Sequence, residues 1–127
     1  VIIAGSGPGS KKLITLKVIY ALKLADIVIY DALVNSEFLN YCKKSAKKVY
    51  AGKTESKRAC SQEEINSWLV MYAKKKKKVL RLKGGDVSFF SRGSQEISVL
   101  KKNKIKFQIF LVSQLTICYE IYKSRIY

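Results

Sequence analysis

Apolar residues along this chain form two kinds of run that take turns. Short blocks rich in β-branched and aliphatic residues occur at Val1 to Ala4, Ile27 to Tyr30, Lys48 to Ala51, Val79 to Leu82 and Phe107 to Val112. Their brevity, and the turn residues around them, predict buried strands. Between the blocks, apolar residues recur every three or four positions. Leu13, Leu16, Ile19, Tyr20 and Leu24 keep this period and predict a helix over 13–24. Ser36 to Cys42 reads as a short helix, and Thr54 to Cys60 as a polar loop. Ser61 is a good N-cap, with Glu63 and Glu64 in the first turn where the helix dipole favours anions. That helix should turn Ile65, Trp68, Leu69 and Tyr72 inward. A further helix is expected from about Arg92 to Lys102. The tail from about Leu115 has helical potential but no clear start signal.

Strands alternating with helices over short connections imply an α/β fold. The expected domain is a parallel sheet of about five strands flanked by helices, with right-handed crossovers. At 127 residues the chain is one domain's worth, with no internal repeat and no linker. Ligands of such sheets bind at the carboxyl ends of the strands. The loops beginning at Gly5, Asp31, Gly52 and Gly84 are therefore expected along one edge.

Composition removes several function classes. Histidine is absent, and Cys42, Cys60 and Cys118 are too widely spaced for a zinc site or a disulfide framework. No metal is expected, and a reducing cytoplasm fits best. No apolar run approaches the ~20 residues of a membrane span. The net charge of +16 would concentrate any polyanion. Yet lysine outnumbers arginine 21 to 4, as an A/T-rich genome would write at tolerant surface positions. Arginine is the better bidentate phosphate reader. The run Lys74 to Lys78 is read as a solvated helix end, and no nucleic-acid partner is expected.

Candidate chemistry gathers at the predicted strand ends. The fourth strand runs into Gly84-Gly85-Asp86. Two glycines let backbone approach a ligand closely, and Asp86 adds an acceptor for an amine or hydroxyl. The first strand ends in Gly5-Ser6-Gly7-Pro8-Gly9, which superficially resembles a dinucleotide fingerprint. The third glycine comes one residue too early, and Pro8 has no N–H for a pyrophosphate. A rigid turn at a cleft mouth is the better inference. Asp31 and Lys53 also stand just past strand ends, where a carboxylate and an amine can accept and donate protons.

These segments occur in a telling order. Gly5 to Gly9 with Leu13 to Lys17 comes first, then Ala25 to Val34 and Gly52-Lys53. Gln62 to Asn66 and Val79 to Asp86 follow. Together they resemble the uroporphyrinogen-III C-methyltransferase family of the tetrapyrrole methylase superfamily, over residues 1 to about 110. The resemblance implies a two-domain α/β subunit, usually a homodimer, with S-adenosyl-L-methionine in the cleft between domains. It implies methyl transfer to uroporphyrinogen III, giving precorrin-2 for sirohaem and cobalamin. By motif, Pro8, Gly84, Gly85, Asp86 and Phe89 would contact the cofactor, and Arg92 would face the tetrapyrrole. Asp31 and Lys53 would take the positions of proton acceptor and proton donor.

The chain departs from the family pattern in places. Val87 replaces a proline, Ser91 and Ser94 replace glycines, and Gln95 stands for a glutamate. The usual Pro-Gly-Val-Thr turn after the fifth strand is replaced by Leu111-Val112-Ser113-Gln114, and the family's second domain is not expected within this sequence. Two other readings compete. A superfamily member acting on ribosomal RNA or diphthine is disfavoured by the strings 30–34 and 62–66. A non-catalytic basic RNA-binding domain would need exposed aromatics interleaved with arginine.

Overall fold

The computed structural model describes residues 1–7, 14–84 and 93–110. Five parallel strands form one sheet in the order β3-β2-β4-β1-β5. They are β1 (Ile2–Gly5), β2 (Ile27–Tyr30), β3 (Lys47–Tyr50), β4 (Val79–Lys83) and β5 (Gln108–Phe110). The helices are α1 (Leu16–Leu24), α2 (Gln62–Lys74) and α3 (Gly93–Lys102), with a 3₁₀ helix at Ser36–Tyr41. The expected α/β class and its five strands are present, each strand within a residue or two of its expected place. The tail from Leu115 lies outside the described residues.

Alternation along the strands builds two cores, one on each face. Ala4, Val28, Leu80 and Leu82 pack with Val18, Ala21, Leu22 and Phe38 of α1 and the 3₁₀ helix. Ile3, Ile27, Ile29 and Val79 pack with Ile65 and Leu69 of α2 and with Ile97 and Leu100 of α3. Each fully buried aliphatic side chain contributes about 1.5–3 kcal/mol. Burial on both faces explains why the inner strands β1 and β2 read as unbroken apolar blocks.

Local signals fix the helix ends. Ser61 caps α2, its hydroxyl accepting the Glu64 N–H at 3.1 Å. Helix α1 starts at Leu16 rather than Leu13, because Thr15 has extended backbone and its hydroxyl accepts the Val18 N–H at 3.3 Å. Asn35 caps the 3₁₀ helix in the same way, through Glu37. After α2 and α3, Lys76 and Lys104 take left-handed φ values of 59° and 57°. The N–H groups of Lys77 and Ile105 then reach back to Tyr72 and Leu100 carbonyls, closing each helix as a Schellman motif. Lys75 to Lys78 are exposed, a solvated helix end as the sequence suggested.

One helix faces differently from its apolar period. Leu16, Tyr20 and Leu24 share a stripe but are 83%, 65% and 40% exposed. The sheet instead receives Val18, Ala21, Leu22 and Ala25. The small alanines let the helix backbone settle close to the strands, which the bulkier stripe would prevent.

Candidate functional site

Because every strand pair is parallel, all strands end along the same edge. Register makes this concrete. Tyr30 of β2 is level with Tyr50 of β3 and Leu82 of β4, and Gly5 of β1 is level with Lys83. The turns after β1, β2, β3 and β4 therefore leave the sheet side by side. Asp31, Lys53 and Gly84 all stand on this edge. Pro8, Gly85, Asp86, Phe89 and Arg92 lie outside the described residues.

Asp31 and Gly84 are in direct contact. The Asp31 carboxylate accepts the Leu33 N–H at 3.0 Å and the Gly84 N–H at 3.2 Å through Oδ1. Its Oδ2 lies 3.4 Å from the same Gly84 nitrogen. A carboxylate offers about four lone-pair positions. Two backbone donors leave acceptor capacity for a ligand or a proton. Glycine is required at 84 by space. A Cβ there would sit 2.1 Å from the Leu33 Cβ and 2.7 Å from its carbonyl carbon.

Neighbouring turns are shaped with similar closeness. The Ser6 N–H donates to the Lys83 carbonyl at 2.8 Å, tying the first turn to the end of β4. Ser6 is fully buried, and its hydroxyl has no hydrogen-bond partner among the described residues. Gly7 follows with φ 78°, a conformation other residues adopt at a cost. On the other flank, the Tyr30 and Tyr50 rings lie 5.3 Å apart at 50°. The Tyr50 hydroxyl donates to the Lys53 carbonyl at 3.2 Å, and its ring fills the space a Cβ at Gly52 would need. The Lys53 side chain is exposed. Among the described residues, Lys53 and Asp31 are not within ion-pairing distance.

Beneath the edge lies a charged cluster that sequence reasoning missed. The Arg81 guanidinium pairs with Glu96 at 3.0 Å, the two side chains being 5% and 0% exposed. Arg81 also donates to the Ile29 and Leu82 carbonyls, at 3.3 Å and 3.2 Å. Gln62 donates to Glu96 at 3.4 Å, and the Lys83 ammonium lies 4.0 Å from its other oxygen. The signal was available: an arginine inside Val79-Leu80-Arg81-Leu82 needs a buried partner. Arg81 and Glu96 flank the segment 84–93 at equal distance along the chain. Their pairing ties β4 to α3.

Among the described residues no histidine, cysteine and carboxylate cluster can hold a metal ion, and no helix is long and apolar enough to cross a membrane.

Known proteins share this fold. The uroporphyrinogen-III C-methyltransferase of Methanocaldococcus jannaschii is 50% identical over 109 residues, which are 86% of this chain and 45% of that protein. The uroporphyrin-III-C-methyltransferase of Thermus thermophilus superposes with a TM-score of 0.74 at 31% identity, over 86% of this chain and 45% of that one. A Thermus thermophilus uroporphyrin-III C-methyltransferase in complex with S-adenosyl homocysteine gives a TM-score of 0.68 at 33% identity, covering 85% of this chain and 42% of that one. The chain thus spans about half the length of the relatives it matches. Residues 1–110 match the family described as Tetrapyrrole (Corrin/Porphyrin) Methylases, and the chain belongs to it.

Proposed function

We propose that this chain supplies the N-terminal half of an S-adenosyl-L-methionine-dependent uroporphyrinogen-III C-methyltransferase, working as a homodimer when complete. The observation that carries this reading is the Asp31–Gly84 closure on the strand-end edge, in a chain 50% identical over 109 residues to part of such an enzyme.

The edge fits the cofactor in kind. Gly84 brings β4 backbone hard against the turn after β2, leaving no side chain between them. The buried Ser6 hydroxyl beside it, without a hydrogen-bond partner among the described residues, supplies polar capacity at the floor. Gly84, with Pro8, Gly85, Asp86 and Phe89 by motif, would hold S-adenosylmethionine, which when bound supplies an electrophilic methyl group on a sulfonium.

The protein's own work is alignment and proton handling. Placing an electron-rich pyrrole carbon in line with the methyl is worth several orders of magnitude in rate. Methylation leaves positive charge on the ring, relieved when a bridge carbon loses a proton. Asp31 keeps acceptor capacity for that proton while its backbone donors hold it in place. Lys53 takes the proton-donor role, on a turn braced by Tyr50. Arg92 and the exposed lysines of the 53–58 loop would attract a polycarboxylate tetrapyrrole.

A chimera tests the reading. Residues 1–110 fused to the C-terminal half of the Methanocaldococcus relative should methylate uroporphyrinogen III twice, at C2 and C7, giving precorrin-2. A folded chimera that binds S-adenosylmethionine but leaves uroporphyrinogen III unmethylated would overturn it. The 127-residue chain alone should bind the cofactor weakly, since each tenfold loss of affinity needs only about 1.4 kcal/mol of missing contacts.

A further inference from the structure

Arg81 belongs to β4, the middle strand of the sheet, and its side chain does more than neutralise Glu96. Its Nη1 donates to the Ile29 carbonyl of β2 at 3.3 Å and to the Leu82 carbonyl of β4 at 3.2 Å. Ile29 lies two residues before Asp31, and Leu82 lies two residues before Gly84. In register, Ile29 is level with Arg81, and Tyr30 with Leu82. The guanidinium thus bridges the β2–β4 seam just behind the Asp31–Gly84 contact. It is held in turn from the helix layer. Its Nε donates to Glu96 of α3 at 3.0 Å, and Gln62 at the start of α2 reaches the same carboxylate oxygen at 3.4 Å.

Stability is a poor explanation for such a pair. Taking both charges out of water costs about as much as their attraction gains, and well-packed apolar residues of similar volume often do as well or better. An apolar pair cannot donate to backbone carbonyls on two strands at once, whereas a planar guanidinium with five donors can. We propose that Arg81 is a positioning residue for the proton acceptor. Clamped by Glu96, it fixes the ends of β2 and β4 against each other and so sets where the Asp31 carboxylate stands, a role that rests on the proton-acceptor reading of Asp31 given above. Two residues of extended chain span only roughly 7 Å, so a shift at the seam reaches the turn almost undiminished. A misplacement near 1 Å is enough to cost about a hundredfold in rate. Gly84 moves with Asp31, so cofactor contacts weaken as well.

The test removes the pair from both sides, as Arg81→Met with Glu96→Leu, leaving no uncompensated charge. In the 127-residue chain the Gly84 amide should exchange at least about tenfold faster than in the parent, while the amide of buried Leu22 on the opposite face keeps its rate. An unchanged Gly84 rate, or a rise shared equally by Leu22, overturns the proposal. In the completed enzyme, turnover at saturating S-adenosylmethionine should fall about 10–100-fold. Adding Asp31→Asn to the double variant should bring turnover no lower than Asp31→Asn alone. Losses that multiply overturn the proposal, because Arg81 then acts otherwise than through Asp31. Full turnover in Asp31→Asn alone overturns the proton-acceptor reading and the positioning role with it, whereas the Gly84 exchange rate is independent of that reading. Should the double variant fail to fold, Arg81→Lys decides, since it keeps a charge beside Glu96 but has no planar fork to span two carbonyls. The same faster Gly84 exchange and lower turnover are expected, and parent-like values of both overturn the proposal.

Discussion

The Asp31 carboxylate holds the Gly84 backbone N–H, joining the turns after β2 and β4 across the adjacent strand ends. One side chain thus serves two purposes. It closes the floor of the strand-end edge, and in the proposed enzyme it also accepts a proton. The contact exists because residue 84 has no Cβ to separate the loops.

Gly84→Ala should therefore be costly without touching the core. The added methyl would meet both side chain and backbone of Leu33, at 2.1 Å and 2.7 Å, and backbone yields reluctantly. We expect a loss of about 1–3 kcal/mol in urea denaturation. In a completed enzyme, cofactor affinity should fall more than stability alone explains. An alanine variant of unchanged midpoint would show that the two turns separate freely.

Asp31→Asn separates the two purposes of that residue. The amide oxygen can still accept the Leu33 and Gly84 N–H groups, so the fold should be nearly unchanged. The base is lost. In the completed enzyme, turnover with uroporphyrinogen III should fall by about 10²–10⁴-fold while cofactor binding changes little. Lost cofactor affinity with retained turnover would make Asp31 a binding residue only.

The inner strands β1, β2 and β4 were legible in the sequence because both faces of the sheet are buried there, which writes each as a largely apolar block. The cap of α2 was legible too, since Ser61 and its first-turn acids are local signals. The face of α1 was not. Period alone cannot say which of two apolar stripes meets the sheet, and the alanines on the buried one carry little hydrophobic weight. The Asp31–Gly84 contact joins residues 53 apart in sequence. Their shared edge followed from topology, but the hydrogen bond itself needed coordinates. The buried pair of Arg81 and Glu96 was half visible: the arginine stood out in its strand, while Glu96 looks like any helical surface acid.

Acid should weaken the fold partly through Asp26. Its carboxyl is held below the ordinary value of 3.8, chiefly by the Lys43 ammonium at 2.6 Å and then by the Lys78 N–H. A lowered folded value means the contribution is complete above the unfolded value and fades as pH falls through the folded one. Asp26→Asn should thus lower the urea midpoint at pH 7. The difference from the parent chain should shrink as pH falls below 3.8 and vanish once pH has dropped below the lowered folded value. A difference independent of pH would mean that charge is not its basis.

Lys76 and Lys104 offer a test in the stabilising direction. Both hold left-handed φ at the end of a helix, where a Cβ is penalised. Lys76→Gly and Lys104→Gly should each raise stability by about 0.5–1 kcal/mol, less than the full relief because glycine also loosens the unfolded chain. The two sites share no partner, so the gains should add. A loss at either site would show that its lysine side chain contributes more than the strain costs.

Glu96 gives the sharpest contrast between a charge pair and its apolar substitute. Glu96→Ala would leave the Arg81 guanidinium, 5% exposed, without its carboxylate. Breaking a buried pair from one side costs about 3–5 kcal/mol. Replacing both partners, as Arg81→Met with Glu96→Leu, removes the uncompensated charge and should recover most of that loss. Lys83, near the same carboxylate, would keep the double variant somewhat below the parent chain. The pair also ties β4, which leads in sequence to Gly85 and Asp86, to α3. The double variant should therefore fold well yet lose that tie. In the completed enzyme this appears as weakened S-adenosylmethionine binding at near-normal stability. Normal affinity in a stable double variant would mean that the ion pair serves the fold alone.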